Sequence, residues 1–378
     1  MLQLKTLLKD RGMTQSALAR KIKMSPATVA QICNHAIWPK KREKELKRQI
    51  LKAVGNCGEE VFKQEGSTQG TKEVAPVTQK ENHLEDDIML LRKQALTPQA
   101  RRTFNLVRDP FDECRNSDEV FLTPDARYVR ESLRQVARHG GFVALVGESG
   151  SGKSTLRRDL IGWVDRESEP TIIIEPYVLG MEDCEAKGKT LKSGHIAESI
   201  LAAVAPGQHV PRSSEARFRQ VHKALLESHR AGSRHLLIIE EAHGIPLATL
   251  KHLKRFFELE DGFSKLLGIV LIGQSELGQK LDERNPAVRE VVQRCEVVTL
   301  RPLDADLLGY LKHRFKLSGT TLKSVMNDSA VEALRSKLSR SNYSVLYPLA
   351  VHNVLTAALN EAASLGVPQL TADLIAGV

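Results

Sequence analysis

The sequence predicts a parallel α/β fold organised around a nucleotide-binding loop, with a small all-α module ahead of it and a helical segment behind. Three observations carry that expectation. An apolar run at 142–146 passes directly into Gly147 and on to Gly152, Lys153 and Ser154. Four further short apolar runs, at 171–175, 235–239, 267–272 and 296–300, alternate with helix-patterned stretches, as in a parallel sheet covered on both faces. The first 54 residues are basic and carry helical spacing of apolar positions.

The loop 147–155, GESGSGKST, has the GxxxxGK[ST] spacing of a P-loop. Glycines at 147, 150 and 152 let successive N–H groups turn inward around a β-phosphate, in conformations that a Cβ would penalise. Lys153 adds a point charge for the β- and γ-phosphates, and Ser154 offers a hydroxyl to Mg2+. The helix that begins near Lys153 directs its positive end at the same anion. Gly147, Glu148, Ser149, Gly150, Ser151, Gly152, Lys153, Ser154 and Thr155 are therefore the candidate nucleotide-binding residues, with ATP and Mg2+ as the expected ligands.

The third apolar run ends in Glu240 and Glu241. A carboxylate at a strand tip can hold a metal's hydration shell, and its neighbour can orient or deprotonate an attacking water. Glu240 is accordingly assigned to the metal together with Ser154, and Glu241 to water activation. Asp usually occupies the first of these positions; Glu240 is one methylene longer, and slow hydrolysis is the expectation. The fourth run ends in Gly273, Gln274 and Ser275, which places a polar Gln274 where a γ-phosphate can be sensed, and Arg289 and Arg294 precede the fifth run. Beyond residue 303 the pattern is helical at 307–317, 329–338, 347–365 and 371–375.

The N-terminal module reads as three short helices. Leu2, Leu4, Leu7 and Leu8 give the inner face of the first, which Gly12 ends. Thr14 caps a second helix with Leu18, Ala19 and Ile22 inside, and Ser25-Pro26 starts a third with Val29 and Ile32 inside. The string TQSALARKIKMSPATVAQICN resembles the helix-turn-helix of the lambda-repressor-like class. That resemblance implies base contacts from Ser25, Ala27, Thr28 and Gln31 on the third helix. Phosphate contacts would come from Lys21, Lys23 and the cluster Lys40, Lys41, Arg42, Lys44, Lys47 and Arg48. That family often has Gly after the third helix, where this chain has His35 and Ala36. The bland alternative is a helical bundle with a solvated basic face.

Charge supports a polyanion partner for this module. Thirteen Lys and Arg against three Asp and Glu give residues 1–54 a charge of +10, which leaves about −1 for the rest of a chain whose net charge is +9. Cys33, Cys57, Cys114, Cys184 and Cys295 are odd in number and never in CxxC spacing, which argues against a disulfide framework or a zinc site. No apolar run approaches eighteen residues and no signal-peptide pattern opens the chain, so the expected location is the cytoplasm, that of the host if the gene is phage-borne, with no membrane partner. The expected domains are 1–54 helix-turn-helix, 55–99 flexible linker with a short helix at 83–95, 100–302 nucleotide-binding core and 303–378 helical lid.

The P-loop, the strand-tip carboxylates, the polar tip of the fourth strand and the arginines before the fifth together resemble the AAA+ class. The resemblance implies ATP between neighbouring subunits of a homo-oligomer, with either Arg294 or Arg289 as the finger that joins Lys153 and Glu241 in catalysis. Many lids of that class carry an arginine near the start of their third helix; this chain reads YPLAVHN from Tyr347.

The order of parts resembles the Mu-type phage transposition protein B family: a lambda-repressor-like module, a linker, and an ATPase containing LLIIEEAH, LIGQSELGQKL and VVQRCEVVTLRPLDADLLGYLKHR. Segment 100–365 also resembles ExeA-type secretion ATPases and TnsC-type transposon regulators. The Mu-like resemblance implies an ATP-dependent, largely nonspecific double-stranded DNA-binding protein that polymerises as a ring or filament, selects target DNA and stimulates a transposase. Further DNA contacts would fall to Lys187, Lys189 and Lys192, or to Lys251, Lys254 and Arg255, with a solvated face as the alternative for each group. Two other functions stay open, an ATP-responsive helix-turn-helix transcription regulator and a secretion-type assembly ATPase.

Overall fold

The computed structural model describes residues 14–22, 24, 28, 29, 32, 43–54, 91–176, 191–340 and 343–378. They fall into two compact units, Met1–Leu84 and Glu85–Val378.

In the first unit the helix Gln15–Lys21 begins where Thr14 accepts a hydrogen bond from the Ala17 N–H at 3.2 Å, as the capping pattern predicts. Leu18, Ala19, Ile22, Val29 and Ile32 are buried, together with Leu46 and Ile50 of the helix Glu43–Val54. Leu46 and Ile50 lie four apart, so one stripe of that helix supplies the inner face. The expected first helix and the linker up to residue 90 lie outside the described residues.

The second unit is built on a five-stranded parallel sheet. Its strands are β1 (Phe142–Val146), β2 (Thr171–Ile174), β3 (Arg234–Ile239), β6 (Gly268–Gly273) and β7 (Glu296–Thr299) in the spatial order β2-β3-β6-β1-β7, with the small hairpin β4 (Glu260–Asp261) and β5 (Ser264–Lys265) just ahead of β6. Side chains alternate across the sheet. Phe142, Ala144, Val146, Leu237, Ile239, Ile269 and Leu271 enter one core with the helices Ser193–Val204, Ser214–Arg230 and Leu247–Phe257. Val143, Leu145, Leu236, Ile238, Val270 and Ile272 enter the other, against Pro124–His139 and Lys153–Arg166. Burial on both faces is why the strands read as continuous apolar runs and not as alternating ones. His235 is polar within this core and fully partnered, Nδ1 with the Leu266 carbonyl and Nε2 with Ser228 Oγ, each at 2.8 Å; burial lowers its pKa.

The lid has its own core, made by the helices Leu307–Leu317, Asp328–Leu338, Pro348–Ser364 and Ala372–Gly377. Leu96, Ala100, Phe104 and Leu106 are buried in the same core. Within 91–99, expected in the flexible linker, Leu96 is buried and Leu91 packs against this core while the other residues are exposed, and 91–95 show no helix. Asn353 donates to the Leu91 carbonyl at 2.8 Å, Asn360 to the Ala95 carbonyl at 3.0 Å, and the Thr97 N–H donates to Asn360 at 2.9 Å. Two lid asparagines thus satisfy the main chain of an extended strap, and the helix Pro98–Thr103 follows, capped by Thr97.

Candidate nucleotide site

β1 delivers the loop to the centre of the sheet, between β6 and β7. The Gly147 N–H donates to the Gly273 carbonyl at 3.2 Å, which ties the start of the loop to the tip of β6 beside Gln274. Gly150 and Gly152 sit at φ +77° and +102°, where an L side chain is strained. The Lys153 ammonium folds back onto the loop, donating to the carbonyls of Gly147 at 2.7 Å and Glu148 at 2.8 Å. Ser151 Oγ is buried with no hydrogen-bond partner, an orphaned donor inside an anion cradle. Ser154 is exposed in the first turn of the following helix, Thr155 is half-buried, and Ser149 is exposed.

Three carboxylates surround the lysine. Burial lowers the Lys153 pKa, and Glu241, Glu148 and Glu240 act in the opposite direction. Glu240 directly follows β3 with a side chain 34% exposed, and Arg157 Nε lies 3.1 Å from its Oε1. Glu241 takes the left-handed conformation at φ +49°, rare for a residue with a side chain, and it leaves the carboxylate 64% exposed with Oε2 3.5 Å from His243 Nδ1. This donor set fits Mg2+. A cation of that kind takes one or two protein oxygens beside phosphates and water, and Ser154 with Glu240 offers those, while no cluster of three or more His, Cys, Asp or Glu exists among the described residues.

A cavity of about 620 Å³ extends from loop residues 150–155 toward the lid. Its far wall is aromatic: Phe111 stacks on His352 with ring centroids 4.8 Å apart, and Tyr310 stacks on the same imidazole at 5.9 Å. Tyr310 is buried, and its hydroxyl is paired with His352 Nε2. His352 opens onto the cavity but is shielded from bulk water; burial lowers its pKa to about 3, with Arg314 and Lys93 adding to the shift. Arg314, itself buried, secures the loop that carries Phe111: Nε donates to the Pro110 carbonyl at 2.6 Å, Nη1 to Cys114 Sγ at 3.3 Å, and Nη2 to the Asp112 carbonyl.

The lid also touches the P-loop. The Leu349 N–H donates to the Gly150 carbonyl at 3.3 Å, and a Cβ built on Gly150 would fall 2.2 Å from Leu349 Cβ. Tyr347, the N-cap of this lid helix, has its hydroxyl pKa pushed up to about 12 by burial and then by Glu148. The segment therefore meets the loop through main chain and apolar atoms, at the point where an arginine is common in the AAA+ class.

The other predicted residues lie elsewhere. Arg289 and Arg294 are exposed and do not line their own chain's cavity; Arg294 pairs with Glu258 at 3.2 Å and donates to the Glu290 carbonyl at 3.0 Å. Lys254 is paired inside the chain, bonding Glu290 at 2.5 Å with Glu258 at 3.6 Å; Lys251 and Arg255 on the same helix are exposed, as is Lys192. Thr28 is half-buried, whereas Ser25, Ala27, Gln31, Lys40, Lys41, Arg42, Lys187 and Lys189 lie outside the described residues. Sequence reasoning missed the aromatic wall, Arg314 and Arg157. The first two sit about 200 residues from the segment they meet, and the third lay within the motif helix as an ordinary arginine. Cys114 and Cys295 are free thiols, and burial raises the Cys295 pKa to about 12.

Residues 135–281 match the family described as AAA domain, and residues 4–41 the family described as Helix-turn-helix. The chain is 30% identical over 201 residues to General secretion pathway protein A of Aeromonas hydrophila, across 52% of this chain and 33% of that protein, so it spans about a third of that relative's length. Among solved structures it is similar to the Aeropyrum pernix ORC2 protein in ADPNP-ADP complexes, with TM-score 0.49 and 16% identity over 71% of this chain and 70% of that one. It is also similar to the Thermotoga maritima RuvB Holliday junction branch migration motor, with TM-score 0.41 and 15% identity over 70% and 71%. The chain carries an AAA-type P-loop ATPase domain of parallel α/β fold behind a helix-turn-helix segment. Among the described residues no helix is long and apolar enough to cross a membrane.

Proposed function

We propose that this ATPase is a nucleotide-switched, largely nonspecific binder of duplex DNA that assembles on DNA as a homo-oligomer and delivers target DNA to a transposase. The supporting observation is a P-loop site with converging Lys153, Glu240 and Glu241 in the same chain as a helix-turn-helix segment whose first 54 residues carry +10.

In this reading Lys153 exchanges the Gly147 and Glu148 carbonyls for β- and γ-phosphate oxygens, and the loop N–H groups with Ser151 Oγ complete the cradle. Glu241 orients and deprotonates the attacking water, held by the bend at its own main chain. Ser154 and Glu240 are the residues that would hold Mg2+, whose charge offsets that developing on the phosphates. The base lies toward Phe111, Tyr310 and His352. Arg294 or Arg289 serves a neighbouring protomer's site, consistent with neither lining its own. Nucleotide then couples to DNA through the lid, which holds both the P-loop contact at Leu349 and the strap 91–97.

A second reading, an assembly ATPase of a secretion system, is favoured by the 30% identity to General secretion pathway protein A. One experiment separates the two: binding of labelled random-sequence duplex DNA to the full chain with ATP, with ADP and without nucleotide, beside Lys153→Ala. Cooperative, salt-sensitive binding that requires ATP and is lost in Lys153→Ala is the expected result. Equal, weak binding in every state defeats the DNA-switch reading. High affinity for one operator sequence alone would make the chain a transcription regulator.

A further inference from the structure

Arg157 lies three residues beyond Ser154 on the P-loop helix, one turn along the same face, and reaches the tips of two adjacent strands. Its Nη1 donates to Glu175 Oε1 at 2.6 Å, just after β2. Its Nε stands 3.1 Å from Glu240 Oε1, just after β3, yet forms no aligned hydrogen bond there and is buried. The two partners are thus unequal: Glu175 is hydrogen-bonded to the guanidinium, whereas Glu240 is held by charge alone. The longer side chain at position 240 is what sits beside this guanidinium, and the carboxylate assigned to the metal has a cationic partner before any metal arrives.

We propose that Arg157 is a positioning residue that sets how readily Glu240 accepts a divalent cation, holding the carboxylate against the P-loop helix until Mg2+ and nucleotide phosphate displace it. The inference rests on the nucleotide-site reading above. Release of Glu240 costs Arg157 only its weaker partner, since Glu175 keeps the guanidinium in place, and so the exchange is reversible within one catalytic cycle. Arg fits this role better than Lys, because its rigid fork spans both strand tips, with Nη1 on Glu175 and Nε beside Glu240, whereas an ammonium is a single compact charge on a flexible stem.

The test is a Mg2+ titration of a fluorescent ATP analogue (MANT-ATP) bound to the full-length chain, with affinity in EDTA as the baseline and thermal melting as the check on folding. Arg157→Gln is expected to lower the half-saturating Mg2+ concentration about three- to tenfold with little change in EDTA. Arg157→Lys keeps the charge and loses the bridge, and is expected to fall near the Gln variant. A Gln variant within twofold of wild type overturns the proposal, as does a Lys variant indistinguishable from wild type, which would reduce the effect to background charge. If wild type binds no nucleotide with or without Mg2+, the nucleotide-site reading fails as well; nucleotide binding without a Mg2+ shift sinks the Arg157 inference alone.

Discussion

At one end of the cavity Lys153 rests on a loop whose Gly150 and Gly152 take positive φ, with Glu240 and Glu241 acting to raise its pKa from the tip of β3; at the other, Phe111, Tyr310 and His352 stack under a buried arginine. The difference follows from what each end has to do. The first must exchange partners every cycle, so its contacts are electrostatic and replaceable: an ammonium resting on carbonyls, a carboxylate held by charge, an unpaired hydroxyl. The second needs a fixed shape, so it is built from ring stacking and hydrogen bonds to main chain, which are costly to break in a dry site. The loop keeps its shape through these exchanges because the sheet holds it at Gly147 and the lid at Gly150.

The largest expected effect strikes the exchanging end. Lys153→Ala should weaken ATP binding on the order of a hundredfold or more, read by calorimetric titration, with little change in melting temperature. An equal loss of stability would break the contrast. At the fixed end the ranking reverses: Arg314→Met leaves the Pro110 and Asp112 carbonyls without donors, and is expected to cost about 3 kcal/mol in urea unfolding of the ATPase unit. Gly150→Ala joins the two ends. It places a side chain at φ +77° against Leu349 Cβ, and a loss of about 1–3 kcal/mol is expected that Leu349→Gly, which removes that Cβ, partly restores, measurable as non-additivity in a double-mutant cycle.

Acid should discriminate further. The folded His352 has its pKa lowered to about 3, below an unfolded value near 6.5, so the unfolded chain binds a proton that the folded chain refuses. Its contribution is complete above the unfolded value and is lost as pH falls through that window, at about 1.4 kcal/mol per unit. Wild type should therefore lose melting temperature between pH 7 and 5 more steeply than His352→Gln, and parallel slopes would refute the assignment. The smallest effect concerns the outer surface: Lys251→Ala should reduce DNA affinity about twofold in low salt, whereas Lys254→Ala, already neutralised by Glu290, should leave it unchanged in the same filter-binding series.

What could be read without coordinates was whatever the chain encodes locally. The loop, Glu240 and Glu241 at a strand end, and the cap at Thr14 each follow from residues within a few positions of one another, because glycine dihedrals, strand burial and helix capping are short-range physics. The strap 91–97 reads as linker whose first part ends a short helix, whereas residues 91–95 form no helix and are held by Asn353 and Asn360, some 260 positions away. The same holds for the aromatic wall and for Arg314. Arg157 was in view but undistinguished, an arginine on a helix, until β2 and β3 brought Glu175 and Glu240 to it. Sequence spacing thus determined where phosphate chemistry takes place, and only the tertiary structure decided which distant side chains hold, shield and neutralise it, because those pairings depend on how the sheet and the lid place the ends of separate elements together.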